Sequence, residues 1–298
     1  MLGYVSLKAP AKINLILDVL DKRDDGYHNI RSVMQTVTVF DYITISTIGT
    51  RRRKTLPKIK ISCSDSNIPT DERNIVYKVC AAYLEAAGSL PFKEIEIKIY
   101  KNIPSCAGLA GGSTDGAAVL KAINSICGDY FSTDDLYKIG ASVGADIPFC
   151  INGGTSLCEG IGGKITPLTP FPECKLLIVK PRISISTAEA YRKFDELKNP
   201  KLSDFDAFKK GLDDGDLAVA SRNISNSLED VINESAIDDL KKDMIESGAL
   251  GSMMTGSGSA VFGIFPDKKS CDLCAEKYHK TQAFCQVCSP FNKGVHQL

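Results

Sequence analysis

The first twenty residues alternate between apolar and polar positions, and no other stretch constrains the fold as strongly. Val5, Leu7, Ala9, Ala11, Ile13, Leu15, Leu17 and Val19 share one parity, while Lys8, Lys12, Asn14 and Asp18 share the other. Period two sends successive side chains to opposite faces, so this is one strand, or two short strands broken near Pro10, with one face on a core. The same reading predicts strands near 33–46, 57–62 and 94–100. Between them Asp71-Glu72-Arg73-Asn74 starts a helix whose apolar positions Val76, Val79, Cys80 and Tyr83 keep helical spacing as far as Gly88. On the polar parity of the first strand, Lys12 and Asn14 are neighbours at i and i+2. A solvated sheet face is their default explanation, and a site their alternative.

Further along, a loop of small residues after Pro104 leads into a helix with Ser113 or Thr114 as its cap and Gly128 at its close. A second helix runs from Ser132 or Thr133 to Gly144. The glycine-rich stretch 151–166 reads as a strand and turns, and the domain boundary is placed there, giving domains 1–158 and 159–298. Beyond it the pattern predicts a strand at 174–180 and helices near 187–197, 202–211, 214–232 and 236–246. A glycine-rich turn at 251–258, a strand at 260–265, a helix at 268–280 and a strand at 284–288 complete the chain. Strands and helices mix without regular alternation, so the fold class is α+β with two domains.

Composition enters mainly to exclude. Lys plus Arg and Asp plus Glu each total 36 in 298 residues, so no global field holds the chain on nucleic acid or an anionic membrane. Arg51-Arg52-Arg53-Lys54 reads as a solvated hairpin loop rather than a binding patch. No apolar run reaches the roughly 18 residues of a membrane span, and Met1 leads straight into the alternating strand, which favours a cytoplasmic protein. The 11 cysteines are odd in number and scattered, unlike a secreted disulfide framework. They read as reduced, buried small hydrophobes. Cys271-x-x-Cys274 and Cys285-x-x-Cys288 could supply four thiolates to zinc, but only ten residues separate the pairs and no glycine knuckle follows either.

The strongest local signal is Ile103-Pro104-Ser105-Cys106-Ala107-Gly108-Leu109-Ala110-Gly111-Gly112-Ser113-Thr114-Asp115. It joins a strand to a helix N-terminus, where small residues let a ligand approach the backbone and first-turn amides attract phosphate. The spacing is not a dinucleotide fingerprint, and no Lys-Ser/Thr pair makes it a Walker loop. Gly160-Ile161-Gly162-Gly163-Lys164-Ile165 fails as a Walker remnant because Ile165 stands where a hydroxyl should hold magnesium. Gly144-Ala145-Asp146-Ile147-Pro148-Phe149 places a carboxylate after a helix in apolar company, where it needs a partner, a capping role or a task. Gly26-Tyr27-His28 holds the only histidine of the first 278 residues, in a stretch that reads as a loop, where a lone exposed histidine is usually incidental. Met253-Met254-Thr255-Gly256-Ser257-Gly258-Ser259-Ala260 forms a second glycine and hydroxyl loop that could face the first across a cleft.

The glycine loop after a proline, the GADIPF segment and the late TGSGSAVFG segment together resemble the three motifs of the GHMP small-molecule kinases. Within them, the opening KAPAKINLILDVLDKRDDGYHNIRSVMQTV resembles the branch acting on a cytidine-diphosphate-linked polyol. Homoserine, mevalonate and galactose kinases share the phosphate loop but not this opening. The resemblance spans nearly the whole chain. One departure is Ala110, where many members carry glycine, and the cysteine-rich tail is another.

The resemblance implies a domain like ribosomal protein S5 domain 2 followed by a ferredoxin-like domain. It implies transfer of the ATP γ-phosphate to the 2-hydroxyl of 4-(cytidine 5′-diphospho)-2-C-methyl-D-erythritol, with Mg2+ accompanying ATP. Asp146 matches the catalytic base and Lys12 its partner. Asn14 would orient the substrate, His28 would hydrogen-bond the cytosine, Tyr27 would stack on it, and Tyr191, after Thr187, would cover its other face. Pro104, Ser105, Cys106, Ala107, Gly108, Leu109, Ala110, Gly111, Gly112, Ser113 and Thr114 would hold the ATP phosphates, with Asn74 near the adenine. A monomer or homodimer without nucleic-acid or membrane partners is expected. Two rivals are a non-catalytic nucleotide sensor and a zinc-dependent nucleic-acid module.

Overall fold

The computed structural model describes residues 3–50, 57–88, 90–197 and 199–298. The basic run Arg51–Lys54 lies outside the described residues.

The alternating opening forms one strand, β1 (Gly3–Lys22), antiparallel to the long strand β2 (His28–Thr50). Pro10 does not break it. The register instead shifts between Pro10 and Ala11, a bulge that moves the apolar parity to a different core. Val5, Leu7 and Ala9 pack in the cluster under the N-terminal helices, whereas Ala11, Ile13 and Leu15 pack with residues from the second half of the chain. The polar parity beyond the bulge is covered as well: Lys12, Asn14 and Asp18 are buried. A solvated face for Lys12 and Asn14 is thereby corrected.

β3 (Lys58–Cys63), α1 (Ile75–Ala87) and β4 (Phe92–Tyr100) form a crossover unit, the helix joining two parallel strands as such a pair requires. Asn74 caps α1 by accepting from the Val76 amide. α2 (Gly111–Ile126) begins earlier than expected: its cap position is Ala110, in a left-handed conformation, so neither Ser113 nor Thr114 is the cap. α3 (Thr133–Ala141) is capped by Ser132 and ends short of Gly144, and the separate short helix α4 (Ile147–Asn152) starts after Asp146. β5 (Thr155–Gly160) pairs with β2, and β6 (Lys164–Pro167) with β5, so the division after residue 158 falls inside a strand of the first sheet.

The second half contains β7 (Lys175–Lys180), α5 (Thr187–Phe194), α6 (Phe205–Asp213) and α7 (Leu217–Arg222). The single helix expected over 214–232 is interrupted. Asn226 donates to the Met254 and Gly256 carbonyls, which holds the segment extended as β8 (Ser225–Asn226) beside β1, before one 3-10 turn at Ser227–Val231. α8 (Ser235–Glu246) follows, then β9 (Gly251–Met254), where a turn was expected; β9 is a strand because it pairs with β10 (Val261–Phe265). α9 (Lys268–Glu276), β11 (Phe284–Cys288) and β12 (His296–Gln297) end the chain, the last pairing with β1.

The second sheet is antiparallel in the order β11-β7-β10-β9. In chain order that is 4-1-3-2, the arrangement of a ferredoxin-like β-α-β-β-α-β unit. The first sheet has β12-β1-β2-β4-β3 as its path. The α+β class and the two-part architecture match the expectation, and the halves share the apolar layer in which Ile13 and Leu15 meet Ile178, Phe208 and Phe262.

Of the cysteines, Cys80, Cys150, Cys158, Cys174, Cys271, Cys274 and Cys288 are buried. Burial pushes the Cys271 thiol up to about 12. Cys271 and Cys274 face a core from α9, and Cys288 joins another from β11. Among the described residues no group of three or more His, Cys, Asp or Glu side chains is placed to hold a metal ion.

Candidate active site

A cavity of about 670 Å³ is walled by the loop 103–112, the start of α1, the polar face of β1 and the segments around Thr187 and Ser257. The glycine and hydroxyl loop at 255–258 packs directly on the loop after Pro104. Gly108 has φ +72°, and a Cβ there would lie 2.0 Å from the Thr255 carbonyl oxygen. Only glycine fits such an approach. The Ala260 amide donates to the Ala107 carbonyl at 3.3 Å and the Lys12 amide to the Leu109 carbonyl at 3.2 Å, which pins the loop between both halves.

At the end of that loop, Ala110 takes φ 55°. A side chain in this region costs roughly 1–2 kcal/mol, which accounts for glycine being common there among the proteins this loop resembles. No side chain caps the start of α2. Its first-turn amides therefore remain available to an anion, and the helix dipole favours one.

Lys12 and Asp146 meet at this end of the cavity, Nζ to Oδ2 3.9 Å. The lysine side chain is 5% exposed and the carboxylate 31%, so one is fixed and the other open to a ligand. Asp146 stands at the N-terminus of α4 without bonding to its amides, which leaves both oxygens for the cavity. Lys12 donates to Asn14 Oδ1 at 2.6 Å, and Asn14 Nδ2 donates to Ser32 Oγ at 2.8 Å. Ser32 in turn donates to the Ile16 carbonyl, and Thr255 Oγ1 accepts from the Asn14 amide at 3.0 Å. The cation is thus held by a buried relay. The sequence reading missed Ser32; its place on β2, across from β1, was the available signal.

A second buried charge cluster supports the loop and was also missed. Lys101 bridges Asp41 and Asp115, its Nζ 2.8 Å from Asp115 Oδ2. Asp41 Oδ1 also accepts from the Asn102 and Ile103 amides at 2.6 and 2.9 Å. Lys101 and Asp115 line the cavity. Burial would lower the lysine's pKa, but the carboxylates of Asp115 and Asp41 outweigh it and the net direction is up. Burial drives the Asp115 carboxyl well above its usual range, and its Oδ1 has no hydrogen-bond partner. Asp115 follows directly on Thr114, so the loop motif already contained it.

Of the residues singled out earlier, Lys12, Asn14, Asn74, Pro104 to Gly112, Asp146, Thr187 and Tyr191 line the cavity. Ser113 and Thr114 lie in the first turn of α2, off that wall, and Thr114 is fully buried. The Asn74 side chain is occupied by its capping bond and by donation to the Pro69 carbonyl at 2.6 Å. Thr187 Oγ1 pairs with Ser257 Oγ at 2.7 Å. Burial, with Asp146 adding to it, pushes the Tyr191 hydroxyl up to about 12, so it is neutral at pH 7. Tyr27 is 63% exposed and outside the cavity wall. His28 is not the exposed, incidental residue of the default reading. It is buried, with Nε2 2.6 Å from Asp195 Oδ1 and its ring 5.0 Å from that of Tyr191.

Family comparisons agree with this geometry. Models described as GHMP kinases N terminal domain and GHMP kinases C terminal match residues 74–154 and 203–282. A curated 4-diphosphocytidyl-2-C-methyl-D-erythritol kinase of Caldicellulosiruptor saccharolyticus is 46% identical over 265 residues, covering 88% of this chain and 88% of its own. A crystal structure of 4-(cytidine 5'-diphospho)-2C-methyl-D-erythritol kinase superposes with TM-score 0.79 at 25% identity, covering 97% of this chain and 100% of that one. The homoserine kinase of Cytophaga hutchinsonii shares the fold, with TM-score 0.74 at 20% identity over 99% of this chain and 97% of its own. On this identity and coverage, the chain belongs to the 4-diphosphocytidyl-2-C-methyl-D-erythritol kinase family of the GHMP kinases.

Proposed function

We propose that this chain transfers the γ-phosphate of ATP to the 2-hydroxyl of 4-(cytidine 5′-diphospho)-2-C-methyl-D-erythritol, a cytoplasmic step of the non-mevalonate isoprenoid pathway. The observation that carries the chemistry is the Lys12–Asp146 pair at 3.9 Å beside an uncapped helix N-terminus and a small-residue loop. The phosphates of ATP rest on residues 104–112 and the first-turn amides of α2. The purine end lies towards Asn74, Pro69 and Ile68, which also line the cavity.

Phosphoryl transfer requires in-line positioning and charge stabilisation more than covalent chemistry. Asp146 accepts the proton of the acceptor hydroxyl as its oxygen bonds to the γ-phosphorus, and the bond to the bridging oxygen breaks to release ADP. Lys12 places a fixed cation beside the charge that develops on both oxygens. With Oδ1 accepting from Lys12 and Nδ2 donating one hydrogen to Ser32, Asn14 holds Lys12 in place and keeps a second Nδ2 hydrogen with which to orient the substrate. Mg2+ arriving with ATP would be held mainly by the phosphates and by one or two carboxylates. Asp115, with its unpartnered buried oxygen, and Asp146 are the donors this cavity offers. Such an ion would neutralise phosphate charge. The cytosine is read by His28 and covered by Tyr191, with Tyr27 closing from the exposed turn.

Asp146→Asn is the direct test, being nearly isosteric and removing only the base. A general base contributes about 100-fold to 10,000-fold, so kcat should fall by that factor with ATP affinity retained. A variant keeping more than about a third of wild-type kcat makes Asp146 structural.

A further inference from the structure

We propose that Asp195 is a positioning residue for the acceptor's nucleobase, acting through His28 and Tyr191; this rests on reading the cavity as the site of a cytidyl substrate. Asp195 directly follows Phe194, the last residue of α5, as its C-cap. A carboxylate there opposes the helix dipole and needs compensating partners to be favourable. It has two, both from the first sheet. Its Oδ2 lies 2.5 Å from Lys22 Nζ and its Oδ1 2.6 Å from His28 Nε2. Lys22 first, then His28, hold the carboxyl below its usual range.

These partners sit opposite one another in the β1–β2 register, Lys22 against His28, at the root of the hairpin that carries Tyr27. Asp195 therefore fastens the end of α5 to that hairpin. One turn earlier on the same helix is Tyr191, whose carbonyl accepts from the Asp195 amide at 3.0 Å and whose ring lines the cavity. Its ring stands 5.0 Å from the His28 ring at 33°. A carboxylate accepts only, so the hydrogen between Nε2 and Oδ1 is on the histidine nitrogen, and the ring orientation is set with it. Nδ1 is then the ring nitrogen that this bond does not use. The aromatic wall and the base-reading edge are thus supplied by different halves of the chain and aligned by one side chain. Lys22 is 55% and Asp195 26% exposed at the side chain, so their ion pair contributes little to global stability. Their effect is on alignment.

The test is steady-state kinetics, with thermal melting, for Asp195→Asn, Lys22→Met, His28→Ala and the His28→Ala/Asp195→Asn double variant. Asp195→Asn should raise KM for the cytidyl substrate by about tenfold, the worth of one charge-assisted hydrogen bond. Its kcat and its KM for ATP should stay within about twofold, and Lys22→Met should show a smaller rise. In the His28→Ala background Asp195→Asn should add less than about twofold, because the His28 contact carries most of its effect. Asp195→Asn with unchanged KM overturns the proposal, as does full additivity in the double variant. A parallel fall of kcat, ATP affinity and melting temperature also overturns it, since that is the signature of a structural role. Wild-type protein that does not turn over the cytidyl substrate removes the underlying reading together with the proposal, whereas an active wild type with an indifferent Asp195→Asn removes the proposal alone.

Discussion

Replacing Lys101 by Met should destabilise the protein in a way that depends on pH with a defined sign. The Lys101 side chain is 7% exposed, and its two partners, Asp41 and Asp115, are 0% and 5% exposed. Removing one member of a buried ion pair costs about 3–5 kcal/mol, because a charge is left without compensation. Asp41 keeps the Asn102 and Ile103 amides, so the loss falls mainly on Asp115, and the lower end, about 3 kcal/mol, is expected. At about 2–4 °C per kcal/mol, the melting temperature should fall by roughly 6–12 °C. Without its cation, Asp115 binds its proton more tightly in the folded chain than in the unfolded one, since burial already drives its pKa up. The folded state then holds more protons, and stability falls as pH rises above the unfolded carboxylate range. The deficit should therefore be larger at pH 8 than at pH 5. The lysine's own pKa is raised above 10.5, so its titration stays outside this window. Calorimetry at both pH values, on Lys101→Met and on Lys101→Met/Asp115→Asn, decides the matter. The double variant should recover more than half of the loss. A fall below about 2 °C without pH dependence, or a double variant no better than the single, would refute the reasoning.

Two further outcomes follow from the same geometry. Lys12→Met should lower kcat far more than it weakens binding of the cytidyl substrate, because its charge matters most in the transition state; initial-rate kinetics showing only a raised KM would place Lys12 in ground-state binding. Cys106 is the one exposed cysteine among the described residues and sits in the phosphate loop. Mild alkylation should modify it first and inhibit, and saturating ATP should protect it. Mass spectrometry finding equal labelling with and without ATP would contradict the placement of the phosphates.

The alternation of residues 5–19 was enough to read a strand, though not that it runs unbroken past Pro10, and the helical spacing from Val76 to Tyr83 was enough to read α1 with its start near 71–74. What alternation could not reveal was that the polar parity of β1 is buried. Its cover is Asp146 at the start of α4 and Thr255 before β10, more than 130 residues away along the chain. The interruption at 223–226 was equally hidden, because the Asn226 side chain bonds to carbonyls that only the fold brings near. Lys12, Asp146 and the loop at 104–112 were legible as types in a pattern. The Asp41–Lys101–Asp115 cluster was not, although the loop motif contained Asp115, since single charges on β2, after β4 and on α2 show no periodicity that would bring them together. His28 was legible only through the resemblance; by composition it was a lone loop histidine, and its partner Asp195 belongs to the other half.

The central claim is the acceptor. Four candidates should be offered separately to the purified protein with ATP and Mg2+: the cytidyl methylerythritol substrate, homoserine, mevalonate and galactose. ADP release is followed in each case, and the product of the active reaction is located by phosphorus NMR. The account predicts turnover with the cytidyl substrate alone and a new phosphomonoester at its 2-hydroxyl. Turnover of another acceptor at a comparable rate, or none with the cytidyl substrate, would contradict it.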